Sequence, residues 1–154
     1  METVHWGFIG CGEATEKKSG PAFSAVAGSE VVAVMSRSAD RARSYAERHH
    51  VKRWYTDAQQ LINDPEVNAV YIATPPSTHA TYAIMAMKSG KAVYVEKPMA
   101  SNYEDCCRIN RIAEKCGMPC FVAYYRRCYA DAHLHHVVEF GTVFPVGVQF
   151  KLGR

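Results

Sequence analysis

Apolar residues recur along the chain in short runs, separated by stretches with helical spacing, and the alternation is regular. Runs rich in β-branched and aromatic residues at positions 4–9, 30–35, 53–55, 69–73, 92–95 and 120–123 predict six strands. The segments between them read as helices. Pro21 suits the first turn of a helix over residues 21–27, with Ser19 or Gly20 as its cap. Ser38 caps a helix whose apolar side is Ala42, Tyr45, Ala46 and His49, and Asp57 caps a short one through Leu61 and Ile62. Pro75-Pro76 stops the fourth strand. A helix over residues 78–88 follows, with Gly90 placed to end it. A helix over residues 102–116 brings Cys106, Ile109, Ala113 and Cys116 to one face. Buried strands alternating with helices predict a parallel sheet covered on both sides. Right-handed crossovers make a doubly wound α/β fold the expected architecture.

The last segment departs from this pattern. Ala130, Leu134, Val137 and Val138 mark a helix over residues 129–140, Gly141 ends it, and residues 143–152 read as one new strand. A single added strand leaves its apolar face uncovered. The expected division is therefore an α/β domain over residues 1–126, with residues 127–154 as a connecting helix and the start of a missing second, β-rich domain. An uncovered terminal strand is expected to favour association, a homo-oligomer included.

Composition narrows the function classes. The chain has 154 residues, 48% of them hydrophobic and 21% charged, which is ordinary for one globular domain. No apolar run is long enough to cross a membrane, and the N-terminus lacks a basic segment followed by an apolar one. A cytoplasmic location is expected. The net charge of +3 comes from dispersed basic residues, so no nucleic-acid partner is expected. The six cysteines, Cys11, Cys106, Cys107, Cys116, Cys120 and Cys128, form no CxxC pair and read as thiols in a reducing compartment. His133 and His136 have i, i+3 spacing but no third ligand in view, so no metal is expected.

The chemistry begins at Gly7-Phe8-Ile9-Gly10-Cys11-Gly12-Glu13-Ala14-Thr15, directly after the first strand. A tight strand-to-helix turn needs Gly10, and Gly12 lets the backbone approach a diphosphate closely. Amides from Gly10 through Thr15 then face the negative charge, as in Rossmann dinucleotide sites. Thr15 replaces the third glycine of that fingerprint, and residues 16–21 form a longer lead-in to the helix. The second strand ends in Met35-Ser36-Arg37-Ser38, with no acid before Asp40. A carboxylate there would hold a ribose 2′-hydroxyl and repel a 2′-phosphate. Ser36 can donate to a 2′-phosphate, and Arg37 and Arg41 can pair with it. NADP is therefore the expected cofactor, ahead of NAD.

Two further loops follow strands: Ala73-Thr74-Pro75-Pro76-Ser77-Thr78-His79 after the fourth and Glu96-Lys97-Pro98 after the fifth. Together with the glycine turn and Ala123-Tyr124-Tyr125-Arg126-Arg127, they resemble the Gfo/Idh/MocA oxidoreductases, a family that includes glucose–fructose oxidoreductase and inositol dehydrogenases. The resemblance implies NAD(P)-dependent hydride transfer to or from a carbinol or carbonyl of a sugar, cyclitol or related polyol. It implies Lys97 as the catalytic group beside the nicotinamide, with Glu96 near the nicotinamide ribose and Pro98 as the bend that turns Lys97 into the cleft. Thr74, Pro75 and His79 would line the other side of the cofactor, and Tyr124, Arg126 and Arg127 would meet the substrate. Family members complete the substrate site from a second domain, so the chain by itself is expected to bind cofactor weakly and turn over poorly. A non-catalytic dinucleotide sensor or regulatory subunit is the alternative, against which the intact Lys97 argues.

Overall fold

The structure, a computed structural model, describes residues 3–124. The connecting helix and strand expected beyond residue 126, together with Arg126, Arg127, His133 and His136, lie outside the described residues. So does Cys128.

Six parallel strands are laid down as β1 (Val4–Ile9), β2 (Ser29–Met35), β3 (Arg53–Tyr55), β4 (Ala69–Ile72), β5 (Ala92–Val95) and β6 (Cys120–Val122). Their order across the sheet is β3-β2-β1-β4-β5-β6. This is the doubly wound Rossmann arrangement, in which the winding direction reverses between β1 and β4 and leaves a crevice at the carboxyl ends. The helices are α1 (Gly20–Ala25), α2 (Ala39–Arg48), α3 (Ala58–Ile62), α4 (Pro76–Lys88) and α5 (Tyr103–Cys116).

Alternation along the strands divides the core into two layers. Trp6 and Phe8 of β1, Val34 of β2 and Tyr71 of β4 pack with Phe23 of α1 and with Tyr45 and Ala46 of α2. On the opposite face Ile9, Met35, Ile72 and Val95 pack against Leu61, Ala83, Met87 and Ile109 of α3, α4 and α5. Gly7 faces this second layer at close quarters. A Cβ there would lie 2.6 Å from Leu61 Cδ2, so the smallest residue lets α3 settle onto β1.

Caps place the helices largely where turn chemistry predicts. Ser38 accepts from the Arg41 amide at 3.4 Å and Asp57 from the Gln60 amide at 3.1 Å. The helix expected over residues 78–88 begins two residues earlier, because Pro76 is tolerated in a first helical turn. The helix expected over residues 21–27 is shorter and is preceded by a π-helical turn, Ala14–Lys18. Strands β4 and β6 each stop one residue short of the expected span, although the amides of Ala73 and Ala123 still bond the carbonyls of Ile9 and Val95, both at 2.9 Å.

The strand ends are level. Met35 pairs with Tyr55 and with Ile9, Ile9 with Ile72, Ile72 with Val95, and Val95 with Val122. Every loop with candidate chemistry therefore leaves the sheet from one row of residues.

Candidate functional site

The glycine turn is built by contacts that are not local. Gly10 has φ of +112°, and a Cβ there would lie 2.7 Å from the Ala73 carbonyl, so both its conformation and its neighbour demand glycine. Gly12 is the opposite case: nothing lies within 4 Å of the position a Cβ would take. That open space beside the first amides of a helical turn, which lack intrahelical acceptors, is a cradle of the kind a diphosphate fills. Glu13 is exposed and Ala14 half-buried at the start of the π-helical turn.

Thr15 does not face this cradle. It is fully buried, and its hydroxyl donates within the turn, toward the carbonyls of Gly12 at 2.9 Å and Gly10 at 3.2 Å. Its own carbonyl accepts from the Tyr45 hydroxyl at 2.9 Å. The close-packing role of a third fingerprint glycine has moved to Gly20, where a Cβ would stand 1.7 Å from the Thr15 carbonyl oxygen. Cys11 likewise turns inward. Its thiol lies 3.5 Å from the Met35 carbonyl, and burial pushes its pKa up to about 12. Thr15 and the Cys11 side chain thus shape the turn from behind.

An ion cluster ties the turn to α2. Glu16 accepts from Arg48 at 2.8 and 2.5 Å and lies 2.8 Å from His49 Nε2. The Arg48 hydrogen bonds hold the Glu16 carboxyl down at about 2, from an ordinary 4.5. A carboxyl with a depressed folded-state pKa adds stability above its unfolded pKa and loses it as pH falls through the folded one. The Glu16 contribution is thus present above pH 4.5 and lost toward pH 2. In thermal melts, Glu16→Gln is expected to lower Tm by a few degrees at neutral pH. It should converge with the parent protein at the acid end, with the difference shrinking in high salt.

At the adenosine end, Ser36 is nearly buried. Its oxygen accepts from the Ser38 amide at 3.3 Å, which leaves its hydroxyl hydrogen available. Arg37 and Arg41 are exposed beside it. At the other end, the amides of Ala73 and Glu96 extend the ladder to the carbonyls of Ile9 and Ile72, both at 2.9 Å, before the loops turn away. Thr74 is half-buried and bonded to the Thr78 hydroxyl at 2.7 Å, and Pro75 is exposed. The Lys97-Pro98 peptide is cis. Lys97 is exposed, and among the described residues no ion pair engages its ammonium. Tyr124, 46% exposed, follows β6 at the same edge.

His79 is corrected by the structure. Expected to line the cofactor, it is 1% exposed. Its ring sits between two carbonyls, Nε2 2.7 Å from Thr74 O and Nδ1 2.9 Å from Pro98 O. It therefore lies between the β4 and β5 loops, behind the crevice. Glu96 is half-buried, and its carboxylate already has partners. Oε1 accepts from Tyr71 at 2.6 Å and from Ser19 at 3.1 Å, and Oε2 from the Lys97 amide at 3.2 Å. Ser19, expected as a helix cap, makes no capping bond. Tyr71, Ser19 and Tyr45 carry no local sequence signal as site residues, because each acts on a partner at least 25 positions away.

Known proteins resemble this chain in sequence and in fold. The family described as GFO_IDH_MocA, "Oxidoreductase family, NAD-binding Rossmann fold", matches residues 4–124. Oxidoreductase P35 of Formosa agariphila is 46% identical over 124 residues, covering 80% of this chain and 39% of the relative. The scyllo-inositol 2-dehydrogenase (NAD(+)) of Bacillus subtilis is 33% identical over 112 residues, covering 71% of this chain and 33% of the relative. The crystal structure of KijD10, a 3-ketoreductase from Actinomadura kijaniata in complex with NADP and TDP-benzene, superposes with a TM-score of 0.81 at 26% identity. That match covers 86% of this chain and 40% of the other. The chain thus spans between a third and two fifths of the length of these relatives. Among the described residues no helix is long and apolar enough to cross a membrane.

Proposed function

Because the chain belongs to the Gfo/Idh/MocA oxidoreductase family, we propose that its sheet edge holds NADP(H) and that Lys97 serves hydride transfer on a sugar, cyclitol or related polyol. The observation that carries this reading is the level row of strand ends. It sets Ser36-Arg37, the glycine turn, Thr74-Pro75 and Glu96-Lys97 side by side in that order. From β2 to β5 the edge runs across three strand spacings, about 14 Å. Such an edge suits an extended dinucleotide with its adenosine end on Arg37 and Arg41 and its diphosphate on the Gly12 cradle.

The residues present fit the cofactor, which when bound supplies the hydride acceptor or donor. The chain's own part is binding and proton management. The amides of Gly12 and Glu13 meet the diphosphate charge, and Arg37 meets the 2′-phosphate. Lys97 holds the substrate oxygen with its ammonium when a carbonyl is reduced and delivers a proton there. In the oxidative direction the same nitrogen accepts the hydroxyl proton. The absence of an acid between Met35 and Asp40 supports NADP over NAD. So does the NADP held by the similar KijD10 structure, whereas the Bacillus relative is named for NAD(+).

Calorimetric titration with NADPH and NADH tests the reading. NADPH is expected to bind more tightly, and Arg37→Asp is expected to weaken NADPH by about tenfold or more while leaving NADH unchanged or improved. An Arg37→Asp variant that retains the NADPH preference would overturn the assignment of the adenosine end.

A further inference from the structure

One carboxylate joins the turn after β1 to the loop after β5. Glu96 Oε1 accepts from Ser19 Oγ and from the Tyr71 hydroxyl, while Oε2 accepts from the amide of Lys97. Ser19 stands at the start of α1, where a serine hydroxyl ordinarily caps the helix. It forgoes that bond and reaches a residue 77 positions away. Tyr71 is enclosed by Phe8, Phe23 and Tyr94, so its hydroxyl needs a partner, and Glu96 supplies it. Burial and the neighbouring carboxylate raise the Tyr71 pKa, so the hydroxyl stays a donor. Glu96 also bonds the amide of the residue that follows it, so whatever fixes this carboxylate fixes the backbone of Lys97.

We propose that Ser19 and Tyr71 are positioning residues which, acting through Glu96, lock the Lys97 loop to the phosphate-binding turn. Hydrogen bonds to a charged acceptor are the strong ones, and two donors from different elements define the direction of the carboxylate as well as its distance. The two ends of the cofactor then meet one rigid edge. The proposal rests on the reading of Lys97 and the glycine turn given above.

The test needs no substrate. The protein is titrated calorimetrically with whichever of NADPH and NADH binds more tightly. It is titrated in parallel with the matching fragment that lacks the nicotinamide riboside, 2′,5′-ADP or ADP. The double variant Ser19→Ala/Tyr71→Phe is expected to bind the dinucleotide about 5–10-fold more weakly and the fragment unchanged. Restoring the hydroxyl with Ser19→Thr is expected to recover part of the loss. Should the double variant fail to fold by circular dichroism, Ser19→Ala, at a half-buried position, carries the same comparison. Equal weakening of both ligands would reduce the network to general scaffolding and overturn the proposal. Unchanged dinucleotide affinity would overturn it while leaving the proposed function standing. A parent protein that binds neither dinucleotide would remove the proposed function and this inference with it.

Discussion

Replacing Lys97 by methionine is expected to leave dinucleotide affinity within about threefold and to cut hydride transfer by roughly 10²–10⁴-fold, the range for removal of a positioned proton donor or acceptor. Methionine keeps a similar length without charge or exchangeable proton. The loop holds its shape through contacts that do not involve the Lys97 side chain. Glu96 is gripped by Ser19 and Tyr71, and the Pro98 carbonyl lies against His79. Lys97→Arg separates charge from proton transfer. Arginine stays protonated at all accessible pH, with a pKa above about 12, so it can steady an oxyanion but cannot take up the hydroxyl proton. The value of kcat/KM is therefore expected to stay low in both directions in this variant, and by the same factor, since the equilibrium constant of the reaction ties the two together. The measurement is steady-state reduction of NADP+ across cyclitols and sugars, with calorimetry as the binding control. A Lys97→Arg protein as active as the parent would make the role of Lys97 electrostatic alone.

Gly20→Ala is expected to damage the fold more than any other glycine-to-alanine change in the cofactor turn. The added methyl would fall 1.7 Å from the Thr15 carbonyl oxygen, a backbone atom that cannot swing aside. Thr15 is itself fixed by Tyr45 and by the Gly10 and Gly12 carbonyls. Relief requires moving α1 off the π-helical turn, at a cost on the order of 4 kcal/mol, or roughly 10–15 °C in Tm. Gly12→Ala is the counterpart. With nothing within 4 Å of the new methyl, Tm is expected to stay within about 2 °C. The methyl stands in the cradle, however, so NADPH affinity is expected to fall by about tenfold or more. Thermal melts and titrations on the two variants distinguish the residue that packs the turn from the one that opens it. A Gly12→Ala protein with full affinity would place the diphosphate elsewhere.

Much of the architecture was legible in the chain. Strand runs such as Val4–Ile9 and Ala92–Val95 are apolar on both faces and bounded by turn residues, so burial in a parallel sheet follows from local pattern. Ser38 and Asp57 announce their helices because capping is a three-residue interaction. Where the local signal and the structure differ, a partner from another loop competes. Ser19 has the local signature of a cap but spends its hydroxyl on Glu96. His79 looks like a cleft residue by its place in the loop, yet its ring is drawn inward by two carbonyls.

By itself the sequence determined the α/β class, the order of elements and the motifs that stand at the strand ends, since each depends on neighbours within a few residues. Only the tertiary structure decided which side chains face the crevice and which hold it from behind. Once the crossovers bring β1, β4 and β5 together, a buried hydroxyl or imidazole must satisfy its polar atoms with whatever lies opposite. For Ser19, Tyr71 and Glu96, and for His79 against the Pro98 carbonyl, those partners are set by packing and by the cost of an unpaired polar group, not by spacing along the chain.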